Sequence, residues 1–532
     1  MNLAQSVAEL LAHSSLNDSL VSIVTAAVAC SLGFFYFAFY SKRVTTNATW
    51  YALTNDALKD HSKGKEQWTT NCRELLYGGL KKVKSAIAVV SPTGPVIFVP
   101  NSFAHEIRNI KELDFAKGLV SDFSATYSGL DPIATIDYHD IMQDIVRLDL
   151  TRSLDAIVGD MDAEVEAAVR DGLGNVPGYQ NTDEIFLQNW KSTELKPFIY
   201  RIIARVSTLV FLGPEAASND DWLEIAVSYT MNLVRAARRL RTVPSFLRPI
   251  AQWWIPELKL CRQQVAKARE IINPIAQDRM RRKASGEITE KTADMMSWID
   301  DKARAKGVKI DFASLQLNFA VAALHTTTET LSFLMLDILE HDNGNEHHVE
   351  RLRKEMVSIL AEHGWRKTSL SSMTLLDSAM KESQRMNTLS NVAMQRQATA
   401  TITLSDGTII PKGYKLAVET KMDDLDLYPN PEKFDLDRFV KLRETNRSKW
   451  HFVTGSPEHT AFGYGKHTCP GRFFASNEIK IILKHLLIKY DWKLSEEQGR
   501  FPTLCSGTEV ALDPRQRIMV KSRLEEIDLS SL

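Results

Sequence analysis

The chain has 532 residues, 44% hydrophobic and 25% charged, which is the composition of a globular protein and excludes a disordered one. Its 65 basic and 66 acidic residues leave a net charge of −1, without the basic excess of a bulk nucleic-acid binder. Five scattered cysteines (Cys30, Cys72, Cys261, Cys469 and Cys505) include no CxxC pair, which excludes a disulfide framework or a zinc site and points to a reducing compartment.

Residues 20–40 read LVSIVTAAVACSLGFFYFAFY, without charge or proline. About 20 apolar residues span a bilayer as a helix. Ser41-Lys42-Arg43 follow at once, and positive charge on that flank places it in the cytosol. The run is too long for a signal-peptide core and has no clear cleavage site. The expected organisation is a lumenal tail over 1–19, a transmembrane anchor over 20–40, a linker over 41–65 and one large domain over 66–532. Asn17-Asp18-Ser19 is a glycosylation sequon, expected to stay unused so close to the membrane.

A helix is predicted over 66–82. Two short apolar runs, Ala86–Val90 and Val96–Val99, flank Ser-Pro-Thr-Gly and predict a hairpin. From about 139 to 380 the pattern is helical, with long helices over Glu257–Arg282, Asp311–His341 and Glu346–His363. A second β region follows at 396–419, turning at Asp406-Gly407. One helix over 471–489 and weak strands close the chain. The fold class is mainly α with small β sheets.

The sharpest local feature is AFGYGKHTCPGRFFASNEIKIILKHLL, with Cys469 between a Gly-rich loop and a helix. Pro470 suits the first turn, where a missing N–H does no harm. Ala475, Ile479, Ile482, Leu483 and Leu486 form an apolar stripe. A sulfur before a helix N-terminus meets unpaired N–H donors and the positive dipole end, which favour thiolate over thiol. Gly463, Gly465 and Gly471 permit tight turns and close approach to a flat partner. These features alone fit a metal ligand or a catalytic nucleophile.

Phe462-x-x-Gly465-x-x-x-Cys469-x-Gly471 resembles the haem-binding loop of the cytochrome P-450 family. Three further stretches agree, in the family's order. Glu382-x-x-Arg385 is similar to its ExxR pair, with i, i+3 spacing on one helical face, although such a pair alone is usually a surface bridge. Pro431-x-x-Phe434-x-x-x-Arg438-Phe439 resembles the stretch whose arginine completes that triad. Ala322-Ala323-Leu324-His325-Thr326-Thr327 resembles the oxygen-activation segment, in the form found in filamentous-fungal members acting on terpenoids and related secondary metabolites.

The resemblance implies haem b held by Cys469, with Phe462 shielding the sulfur and His467 and Arg396 facing the propionates. A Trp-x-x-x-Arg contact is not evident, which leaves Arg147 or Arg152 as substitutes. Thr326 would assist oxygen activation and proton delivery. His325 stands where an acid is usual; it could join the relay, oriented by Glu329, or only face another helix. The substrate would be a lipophilic molecule arriving from membrane lipid. Its pocket would be lined by 118–135, 225–255, the helix near Ala322, 389–394 and a turn near 505–510. The chain has no flavin- or nicotinamide-binding fingerprint. Electrons would therefore come from NADPH-cytochrome P-450 reductase, docking near Lys466, Arg472 and Lys480, with O2 as co-substrate. The expected location is the endoplasmic reticulum membrane, single-pass, with a cytosolic body. Alternatives are a haem-thiolate desaturase or isomerase, a haem sensor, and a hydrolase using Cys469 with His467.

Overall fold

The computed structural model describes residues 45–138, 140–174, 190–288, 293–342 and 346–527. The apolar run 20–40 and Asn17 lie outside the described residues. The chain enters through β1 (Thr49–Trp50) and α1 (His61–Val83). The antiparallel hairpin of β2 (Ile87–Ser91) and β3 (Gly94–Val99) follows. The expected linker over 41–65 joins the fold from Thr46 onward. Thr46 donates to the Ile409 carbonyl at 2.7 Å, and Asn47 bonds both Gly407 and Ile409.

Next come β4 (Leu113–Asp114), α2 (Phe115–Asp122) and α3 (Thr151–Leu173). β5 (Lys191–Glu194) interrupts the stretch expected to be helical. Its sequence, Lys-Ser-Thr-Glu, is a polar edge strand with no apolar alternation to reveal it. The helical body follows: α4 (Leu195–Leu212), α5 (Asp220–Arg241), α6 (Pro256–Ala284), α7 (Phe312–Glu340), α8 (His348–His363) and α9 (Thr374–Met386).

The second β region holds β6 (Ala393–Ala398), β7 (Ile402–Thr403), β8 (Ile409–Ile410) and β9 (Lys415–Val418). β7 and β8 pair around the Asp406-Gly407 turn. α10 (Arg472–Lys489) precedes β10 (Tyr490–Leu494), β11 (Leu504–Ser506), β12 (Glu509–Ala511) and β13 (Arg517–Ser522). The main sheet runs β1-β2-β3-β9-β6-β4, with smaller sheets β10-β13-β5, β11-β12 and β7-β8. The fold is mainly helical with small sheets.

The core is organised around α7, which packs on α4, α5, α6 and α9. Leu315, Leu317, Phe319, Leu331, Leu334 and Leu336 are all buried. α7 is long and apolar enough to cross a bilayer, but most of it lies inside the protein, so it is the core helix. α10 is likewise buried without a break from Glu478 to Ile488. α7 and α10 position the chemistry described next.

Candidate active site

The loop before α10 is held by its own backbone. The Cys469 N–H donates to the Phe462 carbonyl at 2.8 Å, and the Phe462 ring meets Phe452 edge-on at 5.1 Å. Gly463 and Gly465 have φ of +74° and +81°, which glycine adopts freely. A Cβ on Gly465 would lie 2.5 Å from the Arg108 backbone oxygen. Lys466 N–H donates to the Arg108 carbonyl and to Asn109 Oδ1, each at 3.1 Å. Gly465 thus seats the loop on the 104–109 segment, a packing demand distinct from the expected approach to a flat ligand. Gly471 has an ordinary φ of −85°, and a Cβ there would touch only Val146, at 3.6 Å. Gly455 was not singled out from sequence, yet a Cβ on it would collide with the Gly463 carbonyl.

α10 begins at Arg472 with Gly471 as its N-cap, so Pro470 precedes the cap instead of occupying the first turn. The N–H groups of Gly471 and Arg472 both act on the Cys469 sulfur. Burial nevertheless outweighs them and raises the thiol above its ordinary value. The helix terminus alone therefore does not produce a thiolate; a cation on the sulfur is required. Burial first, then Arg396 and Lys466, push the His467 imidazole down to about 4. His467 is a neutral ring at pH 7, not the cation expected from sequence. A raised thiol beside so weak a base disfavours the hydrolase alternative.

On α9, Glu382 sits at 0% exposure between two arginines. Arg385 grips it through Nε and Nη2 at 2.8 and 2.9 Å, and Arg438 Nε donates at 2.8 Å. Their remaining N–H groups go to the carbonyls of Met422, Pro429, Asn430, Pro431 and Lys433. This is a buried, fully hydrogen-bonded cluster rather than a surface bridge. Lys480 is also buried, donating to the Leu370 carbonyl and Asp377 at 3.0 Å each. It supplies no surface charge, contrary to expectation. Lys466 is exposed and Arg472 half-buried.

On α7, Thr326 Oγ1 donates to the Ala322 carbonyl at 2.8 Å. Ala322 and Thr326 are the exposed positions of the central turns and face a cavity. His325 lies beside Glu329 at 3.9 Å, too far for a hydrogen bond, and its buried Nδ1 has no partner. Burial lowers its pKa, so it is neutral at pH 7. Glu329 is instead claimed by the Lys196 ammonium and by the Leu512 N–H at 2.9 Å.

The cysteine loop and the central turns of α7 border one cavity of about 2020 Å³, lined by Cys469, Phe462, His467, Arg396, Ala322 and Thr326 among others. Leu119, Ile133, Val392 and Cys505 also line it, within segments expected to do so. Of the 225–255 segment only Val227 to Arg238 contributes. Beyond it, Phe246, Ile250, Trp253 and Trp254 project outward at 77, 58, 59 and 75% exposure. Arg147 lines the cavity and pairs with Asp144 at 2.9 Å, while Arg152 is exposed and off its wall.

The profile of the cytochrome P-450 family matches residues 179–521. The chain belongs to the cytochrome P-450 family. It is 37% identical over 474 residues to cytochrome P-450 monooxygenase hepE of Aspergillus oryzae, covering 86% of this chain and 83% of that one. It is 34% identical to adrA of Penicillium rubens, covering 88% and 90%. Cytochrome P-450 monooxygenase 1 of Gibberella fujikuroi is 36% identical, covering 82% and 98%. Among solved structures, the retinoic-acid-bound cyanobacterial CYP120A1 superposes with a TM-score of 0.61 at 17% identity, over 86% of this chain and 96% of that one. That likeness concerns the fold. The chain is a cytochrome P-450 monooxygenase and its cofactor is haem b.

The cavity of this cytochrome P-450 fits that cofactor. Its volume is about twice the upper end of an ordinary small-molecule pocket, room for a macrocycle and a substrate together. Arg396 is 5% exposed, stacks on Phe115 at 5.6 Å, and spends Nη1 on the Gln395 carbonyl. Its Nη2 has no partner, and burial lowers the guanidinium to about 10. A buried cation lacking an anion is what a propionate would complete.

Proposed function

We propose that this enzyme hydroxylates or further oxidises a lipophilic small molecule of terpenoid or related secondary-metabolite type. Cys469 is the proximal iron ligand in this proposal, and NADPH-cytochrome P-450 reductase is the electron donor. The observation that carries it is the Cys469 sulfur, met by two peptide N–H groups, in the wall of the cavity that Thr326 and Arg396 also line. When bound, haem supplies the reductive activation of O2 and the oxygen-insertion chemistry, favoured by a thiolate ligand.

The protein's own groups hold and shape. Phe462 covers the sulfur side. Arg396 offers its free Nη2 to a propionate, with Arg147 nearby and His467 as a neutral donor. Thr326 spends its hydroxyl proton on Ala322, so its lone pairs remain for a water or proton donor in the cavity. His325, neutral and unpaired at Nδ1, holds or passes a proton one residue away. Glu382, Arg385 and Arg438 hold the 422–438 segment against α9.

Lys466 and Arg472 give the proximal side the positive charge a reductase docks on. The outward Phe246, Ile250, Trp253 and Trp254 form an apolar surface of the kind that rests in lipid. With the 20–40 run, this supports a single-pass protein at the endoplasmic reticulum membrane. The test is the absorption spectrum of dithionite-reduced microsomal protein with carbon monoxide. Wild type is expected to show a red-shifted Soret band that Cys469→Ala lacks. An unshifted band in wild type would exclude thiolate ligation.

A further inference from the structure

Two helices bring a second polar group to the cavity, away from Cys469. Tyr200 on α4 and Thr230 on α5 both line it, at 7% and 4% exposure. The two hydroxyls face one another, yet by geometry neither completes a hydrogen bond to the other or to any other described residue. Buried hydroxyls are rarely left so, because desolvation without a partner is unfavourable. Burial holds the Tyr200 phenol up at about 12, so it is a neutral donor.

The neighbouring charges do not ask for an ionic ligand. Lys196, which also lines the cavity, is matched by Glu329 and reaches the Leu512 carbonyl at 3.3 Å. Glu329 accepts the Leu512 N–H. That pair is internally neutral, so the ligand's oxygen must be uncharged.

We propose that Tyr200 and Thr230 form a subsite for a neutral oxygen function, a hydroxyl or carbonyl, on an otherwise lipophilic substrate. The inference rests on the cavity being the substrate chamber of a monooxygenase and adds which substrates it prefers. The substrate is then already oxygenated on arrival. The preceding step must be one that installs a hydroxyl or carbonyl, by oxidation or by addition of water, so this enzyme does not act first on the bare hydrocarbon skeleton.

The test uses the haem-loaded full chain and Soret titrations with decalin, its secondary alcohol, its ketone and its carboxylic acid. The alcohol and ketone are expected to bind about tenfold more tightly than the hydrocarbon, one good hydrogen bond's worth. Tyr200→Phe and Thr230→Val should abolish that preference while leaving decalin affinity unchanged. Without ligand, both variants should melt at or above the wild-type temperature, since each removes an unpaired buried hydroxyl. Equal affinity for alcohol and hydrocarbon, no binding of either, or a preference for the acid overturns the subsite. So does a lower melting temperature in both variants, which would mean that the hydroxyls are already satisfied. A missing red-shifted carbon monoxide band would instead sink the monooxygenase proposal itself, and the two failures are thereby distinguishable.

Discussion

Two polar regions, the Glu382 cluster (the floor, which lies outside the cavity lining) and the far wall of the cavity, solve opposite problems. In the floor, Glu382, Arg385 and Arg438 exchange hydrogen bonds among themselves and with five backbone carbonyls. In the far wall, Tyr200, Thr230 and His325 keep buried polar atoms without partners. Arg396, which also lines the cavity, keeps one free nitrogen. A satisfied network holds its shape before any ligand arrives, whereas an unsatisfied one leaves its completion to the ligand. The floor is scaffold and the wall is recognition.

The largest effect should come from breaking the floor. Glu382→Ala leaves two buried guanidinium groups without their carboxylate, a loss of about 3–5 kcal/mol. The expected outcome in chemical denaturation is a severely destabilised chain that retains little haem; wild-type stability would erase the distinction between the two regions. Gly465→Ala strains a positive φ and drives a methyl into the Arg108 backbone. About 2 kcal/mol should be lost, read as a drop of several degrees in melting temperature.

A buried carboxylate outside the Glu382 cluster is less well satisfied. Glu478 on α10 is fully buried with Ser207 as its hydrogen-bond partner at 2.8 Å, and burial pushes it to about 8. Its folded pKa lies above its unfolded value near 4.5. Its contribution to stability is therefore complete below that value and lost as pH rises toward 8. Wild type should lose up to about 1.4 kcal/mol per pH unit across that window. Glu478→Gln should flatten the slope in urea denaturation at pH 5.5, 7 and 8; an unchanged slope would mean that the group does not titrate there. The smallest effect belongs to Arg396→Leu, which should leave the cofactor-free chain as stable as before. With haem bound it should raise cofactor loss about fivefold, roughly 1 kcal/mol, measured by transfer to apomyoglobin. Destabilisation without cofactor would show that Arg396 belongs to the scaffold.

The floor was also the more legible half. Its residues lie in short motifs on single elements, where spacing carries information, and the helices Phe312–Glu340 and Arg472–Lys489 lie within one residue of their predicted bounds. The wall was legible only in part: His325 with Glu329 and the 225–255 segment were singled out, but Lys196 and Tyr200 come from a helix whose approach to them no local pattern announces. Lys480 misled because a lysine on a helix ordinarily faces water, and only the fold reveals Asp377 and the Leu370 carbonyl awaiting it. The thiolate expectation weighed the helix terminus without the burial around it. β5 and the docking of Thr46 and Asn47 were missed because polar segments follow no hydrophobic period.

The bond from Lys466 to Asn109 joins residues 357 positions apart. During synthesis the early segment waits, folded or not, while most of the polypeptide is still unmade. The cysteine loop gains its seat only after nearly the whole chain has left the ribosome. Contacts of such sequence separation are slow to close, so cofactor capture belongs to the finished chain, and a truncated translation product has no assembled place to put iron.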